Sequence, residues 1–289
     1  MESDPDMPSI SLPFICRWMQ HCEKAHASCT RKGPFAASYE TIRLIDVLER
    51  CLVESSSSEE YACLSYVWGG KARLKLTKES LVTYTTLNSL TDSELRKSKT
   101  IADAVELVEA LGMRYLWVDA LCIMQDNKED LFTHIPRMSQ IYHDAQLTIV
   151  STSASSQAGI PGIERLLRSS CSSESEIEDP HYEVPPVPVE PTFPPVIDHK
   201  VKPMVATIRQ TIWYRRAWTL QEQYFSRRLV IFTPERCYFQ CGSALVQEHD
   251  KSMARYSLPE LITRCSQEKR DIRTRYVEER AGKAIEMEP

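Results

Sequence analysis

The chain has 289 residues, 42% of them hydrophobic and 26% charged, and a formal net charge of −5. That length fits one large domain or two small ones, and the composition is that of a soluble globular protein. The acidic balance implies no general affinity for nucleic acid, and no apolar run approaches the ~20 residues that a membrane span needs.

The N-terminus carries Glu2, Asp4 and Asp6 without an apolar core, so it does not read as a secretory signal. Without such a signal the ten cysteines do not read as a disulfide framework, and a cytoplasmic location is expected. Residues 10–30 read as an amphipathic helix, with Ile10, Phe14, Ile15, Trp18 and Met19 at helical spacing and Cys22 and Ala25 extending the stripe. A short strand is expected around Thr41–Ile45, within 40–53, and residues 55–60 read as a solvated Ser/Glu loop.

A β-α-β-α-β run begins at Tyr61. Residues 61–67 form the first strand. A helix starts at Thr100 with Asp103 as a capping-box-like partner, buries Ile101, Ala104, Val105, Val108 and Leu111, and stops at Gly112. Residues 115–118 form the second strand, which ends at Asp119. Residues 129–145 form a helix broken near Pro136, with Leu131, Ile135, Met138, Ile141 and Tyr142 inward, and 146–151 form the third strand. Such alternation predicts a mainly parallel sheet of about five strands.

Residues 168–203 are Ser- and Glu-rich, then Pro-rich, and lack a hydrophobic face, so they read as a mobile insertion within one domain; a Pro-rich partner motif is the alternative. A helix near 203–213, a short helix over 218–225 and a hairpin of 229–232 with 237–240 follow. Residues 266–289 are highly charged and read as frayed. With eight glycines and no Gly-x-x-x-x-Gly-Lys-Ser/Thr or Gly-x-Gly-x-x-Gly run, no phosphate cradle of those types is present.

Three blocks place polar groups beside a Trp where a strand gives way to a loop: Leu64-Ser-Tyr-Val-Trp-Gly69, Tyr115-Leu-Trp-Val-Asp-Ala-Leu-Cys-Ile-Met-Gln-Asp126 and Trp218-Thr-Leu-Gln-Glu222. α/β proteins build their sites at such positions. Asp119 and Glu222 are the candidate catalytic carboxylates. The bland alternatives are that Asp119 caps the 120–126 loop through backbone N–H groups, and that Glu222 pairs with Arg215, Arg216, Arg227 or Arg228. Tyr66, Trp68, Trp117, Trp218, Gln125 and Gln221 are candidates for a surrounding wall, although aromatics at such spacing are usually core; Gly69-Gly70 makes Trp68 the exception.

Cys122 and Ser65 are set aside as nucleophiles, the one for want of a flanking His and the other for want of a Gly-x-Ser-x-Gly elbow. Cys63 and Cys122 read as buried small hydrophobes. Cys22-x-x-x-His26-x-x-Cys29 has a spacing compatible with zinc chelation, but it lacks a clear fourth ligand. Cys16 or His21 would have to supply it, so no metal is expected.

In this order the three blocks resemble the fungal heterokaryon-incompatibility (HET) domain. The match extends to Met138-x-x-Ile-Tyr142-x-x-Ala145, Gly159-Ile-Pro-Gly162 and Arg43-Leu-Ile-Asp-Val47. The resemblance implies a role in non-self recognition and regulated cell death, through self-association or a protein partner. HET domains in turn look like distant relatives of Toll/interleukin-1 receptor (TIR) domains, which share a flavodoxin-like sheet and several of which cleave the nicotinamide–ribose bond of NAD with one glutamate. That implies an alternative role as an NAD glycohydrolase, with NAD as substrate and no bound cofactor. A third alternative is a diverged, inactive member.

The expectation is therefore an α/β fold of flavodoxin/TIR-like type, flanked by helices, with an N-terminal helix and a C-terminal β-hairpin added. Residues 1–60 form a lead-in, 61–250 the HET-like domain and 251–289 a charged tail.

Overall fold

Residues 61–65, 147–151 and 228–232 are each five consecutive buried positions. Strands covered on both faces read as continuous runs rather than alternating ones, and they belong at the centre of a helix-covered parallel sheet. The computed structural model describes residues 12–26, 29, 41–70, 74–164, 201–216 and 218–247, with backbone alone at 201–205 and 220. In it these runs are β3 (Tyr61–Ser65), β5 (Leu147–Ser151) and β6 (Arg228–Phe232). The tail at 251–289 and most of the 168–203 insertion lie outside the described residues; 201–203 begin a helix.

The sheet is mixed and eight-stranded, completed by β1 (Thr41–Asp46), β2 (Cys51–Ser56), β4 (Tyr115–Trp117), β7 (Cys237–Cys241) and β8 (Leu245–Gln247). Its order is β2-β1-β4-β3-β5-β6-β7-β8. β3 pairs in parallel with β4 and β5, and β5 with β6. The four parallel strands thus lie second-first-third-fourth in chain order, the start of the flavodoxin-like arrangement, and the switch point falls between β3 and β5.

Both edges are extended by antiparallel strands. The β1–β2 hairpin pairs with β4, and β6 continues into β7 and β8. The lead-in hairpin is therefore part of the same sheet. The expected hairpin of 229–232 with 237–240 is present. β2 and β8 exceed the expected strand count because β2 ends in polar Ser55-Ser56 at the outer edge and β8 has only three residues.

Helices α1 (Leu12–Ala25), α2 (Leu81–Tyr84), α3 (Asp92–Leu95), α4 (Lys99–Ala110), α5 (Asp119–Cys122), α6 (Lys128–His134), α7 (Met138–Asp144), α8 (Val201–Gln210) and α9 (Thr219–Phe225) complete the described elements. α4 buries Ile101, Ala104, Val105 and Val108 as its pattern predicts. Gly112 closes it with φ +73, the left-handed value that glycine adopts without a Cβ penalty. It does not start with a capping box. Ser98 precedes it, and the Asp103 carboxylate instead accepts from Ile160 N–H at 2.7 Å and faces Lys99 Nζ at 3.1 Å.

Pro136 does break the next helix, into α6, a 3₁₀ turn and α7. Ile135, expected inward, is 37% exposed because it lies in that turn, while Met138, Ile141 and Tyr142 of α7 reach the core. α7 is fastened to β3 by Tyr61 Oη donating to the Ile141 carbonyl at 2.8 Å and Tyr142 Oη donating to the Leu64 carbonyl at 3.2 Å.

Asp46 ends β1 almost wholly buried. It accepts from Leu48 and Glu49 N–H at 3.0 Å each and from Arg114 Nε, just before β4, at 2.8 Å. Removing a buried charged acceptor strands its donors, so Asp46→Ala should lose about 2–3 kcal/mol in urea denaturation. Glu109→Ala, which breaks the partly exposed ion pair with Arg50, should lose no more than about 1 kcal/mol. Equal losses would mean that Asp46 does not anchor this edge.

Candidate functional site

Open α/β sheets place their ligand crevices at the carboxyl ends of the strands that flank the switch point. Ser65 is the last residue of β3. Its hydroxyl donates to Glu222 Oε2 at 2.5 Å and accepts from Trp213 Nε1 at 2.6 Å. Glu222 lies in the first turn of α9, only 2% exposed. Burial is the largest influence on its carboxyl and pushes the pKa up; Arg216 and the bonds from Ser65 and Trp213 oppose that push. Arg216 is itself held through Nη1 on the Tyr66 carbonyl.

Asp119 opens α5 immediately after β4. Trp68 Nε1 lies 3.0 Å and 3.2 Å from its two carboxylate oxygens, and Ala120 N–H donates to Oδ1 at 2.7 Å. The capping role is therefore present, but it uses one N–H and leaves the carboxylate shared with the indole. Asp119 is half-buried, so it meets solvent where Glu222 does not. Desolvation raises its pKa most and the Glu222 charge next; Ala120 N–H, Arg216 and Trp68 act against them, leaving it at about 7. An acid half-ionised near neutral pH suits proton transfer in either direction.

Trp68 is positioned by its neighbours in the chain. Gly69 has φ +78, and a Cβ there would lie 2.7 Å from the Ser155 Cβ. Glycine thus lets the loop after β3 lie against the loop after β5, where Ser156 N–H reaches the Trp68 carbonyl at 3.4 Å.

The other candidates separate. Trp117 is fully buried with its ring edge-on to Tyr142 at 5.5 Å between centroids, so it belongs to the core rather than to a wall. Tyr66 is also buried, and burial raises its phenol well above the usual range. Gln125 Nε2 donates to the Asp119 and Ile123 carbonyls at 2.9 and 2.8 Å, which fixes the turn below Asp119. Gln221 is half-buried with its Oε1 unpaired, and Trp218 is 45% exposed. Cys63 and Cys122 are buried, and burial lifts the Cys122 thiol to about 12, which leaves it inert.

The heterokaryon incompatibility protein (HET) family model matches residues 61–222, more than half of the chain. The chain belongs to the HET family. No curated protein and no solved structure matches it. The matched stretch opens on β3 and closes on Glu222, so both hydrogen-bonded partners of the Ser65–Glu222 pair lie inside it.

Arg216, one of the four arginines expected near Glu222, is the one whose charge acts on it, whereas two residues of this site were not among the candidates: Trp213, which precedes the third block, and Ser65, which the sequence offers only as a nucleophile. The signal for Ser65 was its place in Leu64-Ser-Tyr, where a strand-end hydroxyl can meet a carboxylate. Away from this site, Cys22, His26 and Cys29 are joined by Cys241 of β7, and the four potential ligand atoms lie within 4.8 Å of one another. Neither Cys16 nor His21 supplies the fourth.

The raised Asp119 pKa has a signature in stability. Its folded value of about 7 exceeds the unfolded value of ~3.9, so between those values the native state keeps a proton that the unfolded chain has lost. Stability from this group therefore falls as pH rises from ~4 to ~7 and is flat above. Three pKa units correspond to ~4 kcal/mol at most, and about 2 once its solvent contact is allowed for. Asp119→Asn should abolish that slope, gaining about 2 kcal/mol on wild type between pH 4.5 and pH 8 in urea denaturation. Parallel profiles would show an Asp119 with an ordinary pKa.

Proposed function

We propose that this HET domain acts in fungal regulated cell death as a hydrolase that cleaves the nicotinamide–ribose bond of NAD. The observation that carries the reading is a half-buried carboxyl at about 7, bonded to an indole and raised in part by the charge of a second, buried carboxylate. The resemblance to TIR domains supplies the substrate class.

In the proposed reaction the C1′–N bond breaks and its electron pair passes to the pyridinium nitrogen, so nicotinamide leaves neutral and needs no acid. Positive charge grows on the ribose, and ionised Asp119 and the more distant Glu222 stabilise it. Water adds to C1′ and gives its proton to Asp119. The products are nicotinamide, ADP-ribose and a proton. Trp68 holds Asp119 by its N–H, and exposed Trp218 is available to stack on a base.

A second reading is that the domain signals by self-association or by binding a protein partner. The depth of Glu222 and its commitment to Ser65 favour this, since such a carboxylate locks α9 to β3.

Purified chain incubated with NAD should release nicotinamide, measured by chromatography. The rate should rise with pH through about 7 as Asp119 ionises. Asp119→Asn should lose about a hundredfold or more. Glu222→Gln should lower the rate and also move the pH midpoint below that of wild type, since a like charge that raises Asp119 is gone. Expression in a fungal host separates the two readings. Toxicity that persists with unchanged NAD would discard the hydrolase and leave association as the mechanism.

A further inference from the structure

We infer that Cys22, His26, Cys29 and Cys241 form a structural zinc site that staples the N-terminal helix to the far edge of the sheet. This does not rest on the proposed hydrolase.

The local chain brings three of the ligands together. Cys22 and His26 are one turn apart at the end of α1, and His26 N–H bonds to the Cys22 carbonyl at 3.1 Å. Cys29 N–H then bonds to the His26 carbonyl at 2.9 Å, folding its side chain back towards the first two. The fourth comes from the end of β7, 215 positions beyond His26: Cys241 Sγ lies 3.4 Å from His26 Nδ1. The sheet face beside them is closed by Trp18 on Phe239, with ring centroids 5.8 Å apart.

Three sulfurs and an imidazole nitrogen within 4.8 Å of one another match the Cys₃His donor set of structural zinc. A tetrahedron with Zn–S bonds of about 2.3 Å needs sulfurs ~3.8 Å apart, so the ligands close by about 1 Å or less around an ion. All three cysteines are buried, and none of the described cysteines is in a disulfide.

A second observation points the same way, because the surroundings are built for negative sulfur. Arg228, itself 2% exposed, donates Nε to Cys22 Sγ at 3.3 Å, and Ser243 N–H donates to Cys241 Sγ at 3.4 Å. A zinc ion with three thiolates carries one net negative charge, which a buried guanidinium at that distance offsets. The outer partner of Arg228 is Glu23, at 3.6 Å. Its Nη1 and Nη2 reach the Gln146 and Cys29 carbonyls at 3.3 and 3.2 Å, which leaves Nε aimed at the Cys22 sulfur.

The test is metal content of the full chain, purified under reducing conditions from zinc-supplemented cells. Elemental analysis should find about one zinc per chain, and a strong chelator should lower the melting temperature. Cys241→Ser should reduce bound zinc by about tenfold, whereas Cys16→Ser and His21→Ala should keep it. Cobalt(II) added to metal-stripped wild type should give the visible bands of tetrahedral thiolate ligation; this readout survives even if the Cys241 variant misfolds. A folded wild-type chain without metal would overturn the inference. So would full zinc retention in Cys241→Ser, or a disulfide joining two of these cysteines in the reduced preparation.

Discussion

A carboxylate that is 2% exposed persists in a protein only if donors meet its charge, and the position of Glu222 sets much of what surrounds it. Ser65 brings one donor from the end of the central strand β3, and Trp213 reaches the same hydroxyl from the segment before α9. At the other end of the short helix, Ser226 Oγ bonds to the Glu222 carbonyl at 2.5 Å and lies 2.7 Å from Thr148 Oγ1 of β5. α9 is thus tied to the two strands that flank the switch point. Once it is there, Arg216 falls between Tyr66 and the carboxylates, and Asp119 feels a buried like charge. The unusual acid near neutrality follows first from the desolvation of Asp119 in its own loop and then from the charge of this neighbour.

The parallel core was legible because its strands are short, fully buried runs divided by helices with clear stops. Gly112 and Pro136 punctuate the chain through fixed backbone preferences, and both act where they were expected to. The meeting of Trp68 and Asp119 also followed from topology, since they follow the carboxyl ends of the neighbouring strands β3 and β4. What stayed hidden needed tertiary partners. Asp103 spaces like a capping residue, yet it serves Ile160, 57 positions away. Trp117 spaces like a pocket residue, yet it faces Tyr142 in the core. Cys241 has no local pattern of its own, and only the pairing of β7 with β6 brings it to α1. Spacing reports local geometry, whereas burial and long-range pairing are decided by the whole sheet.

The stretch matched by the family model runs from β3 to Glu222 and holds three of the four parallel strands, so both edges of that group are paired by strands outside it. An uncovered strand edge invites pairing with another chain. Here the β1–β2 hairpin covers β4 on one side, and β6, β7 and β8 cover β5 on the other. The second cover is also fastened to the N-terminal helix. Arg227 reaches the His143, Asp144 and Ala145 carbonyls at the end of α7, and its Nη1, like Arg228 Nη2, also reaches the Cys29 carbonyl. These arginines begin two residues after α9 ends, so the support that holds α1 against β7 lies next to the helix that carries Glu222. α9 itself packs against α7 and is bonded to β3 through Glu222 and to β5 through Ser226, so one stretch of chain both places the buried carboxylate and supports the N-terminal helix.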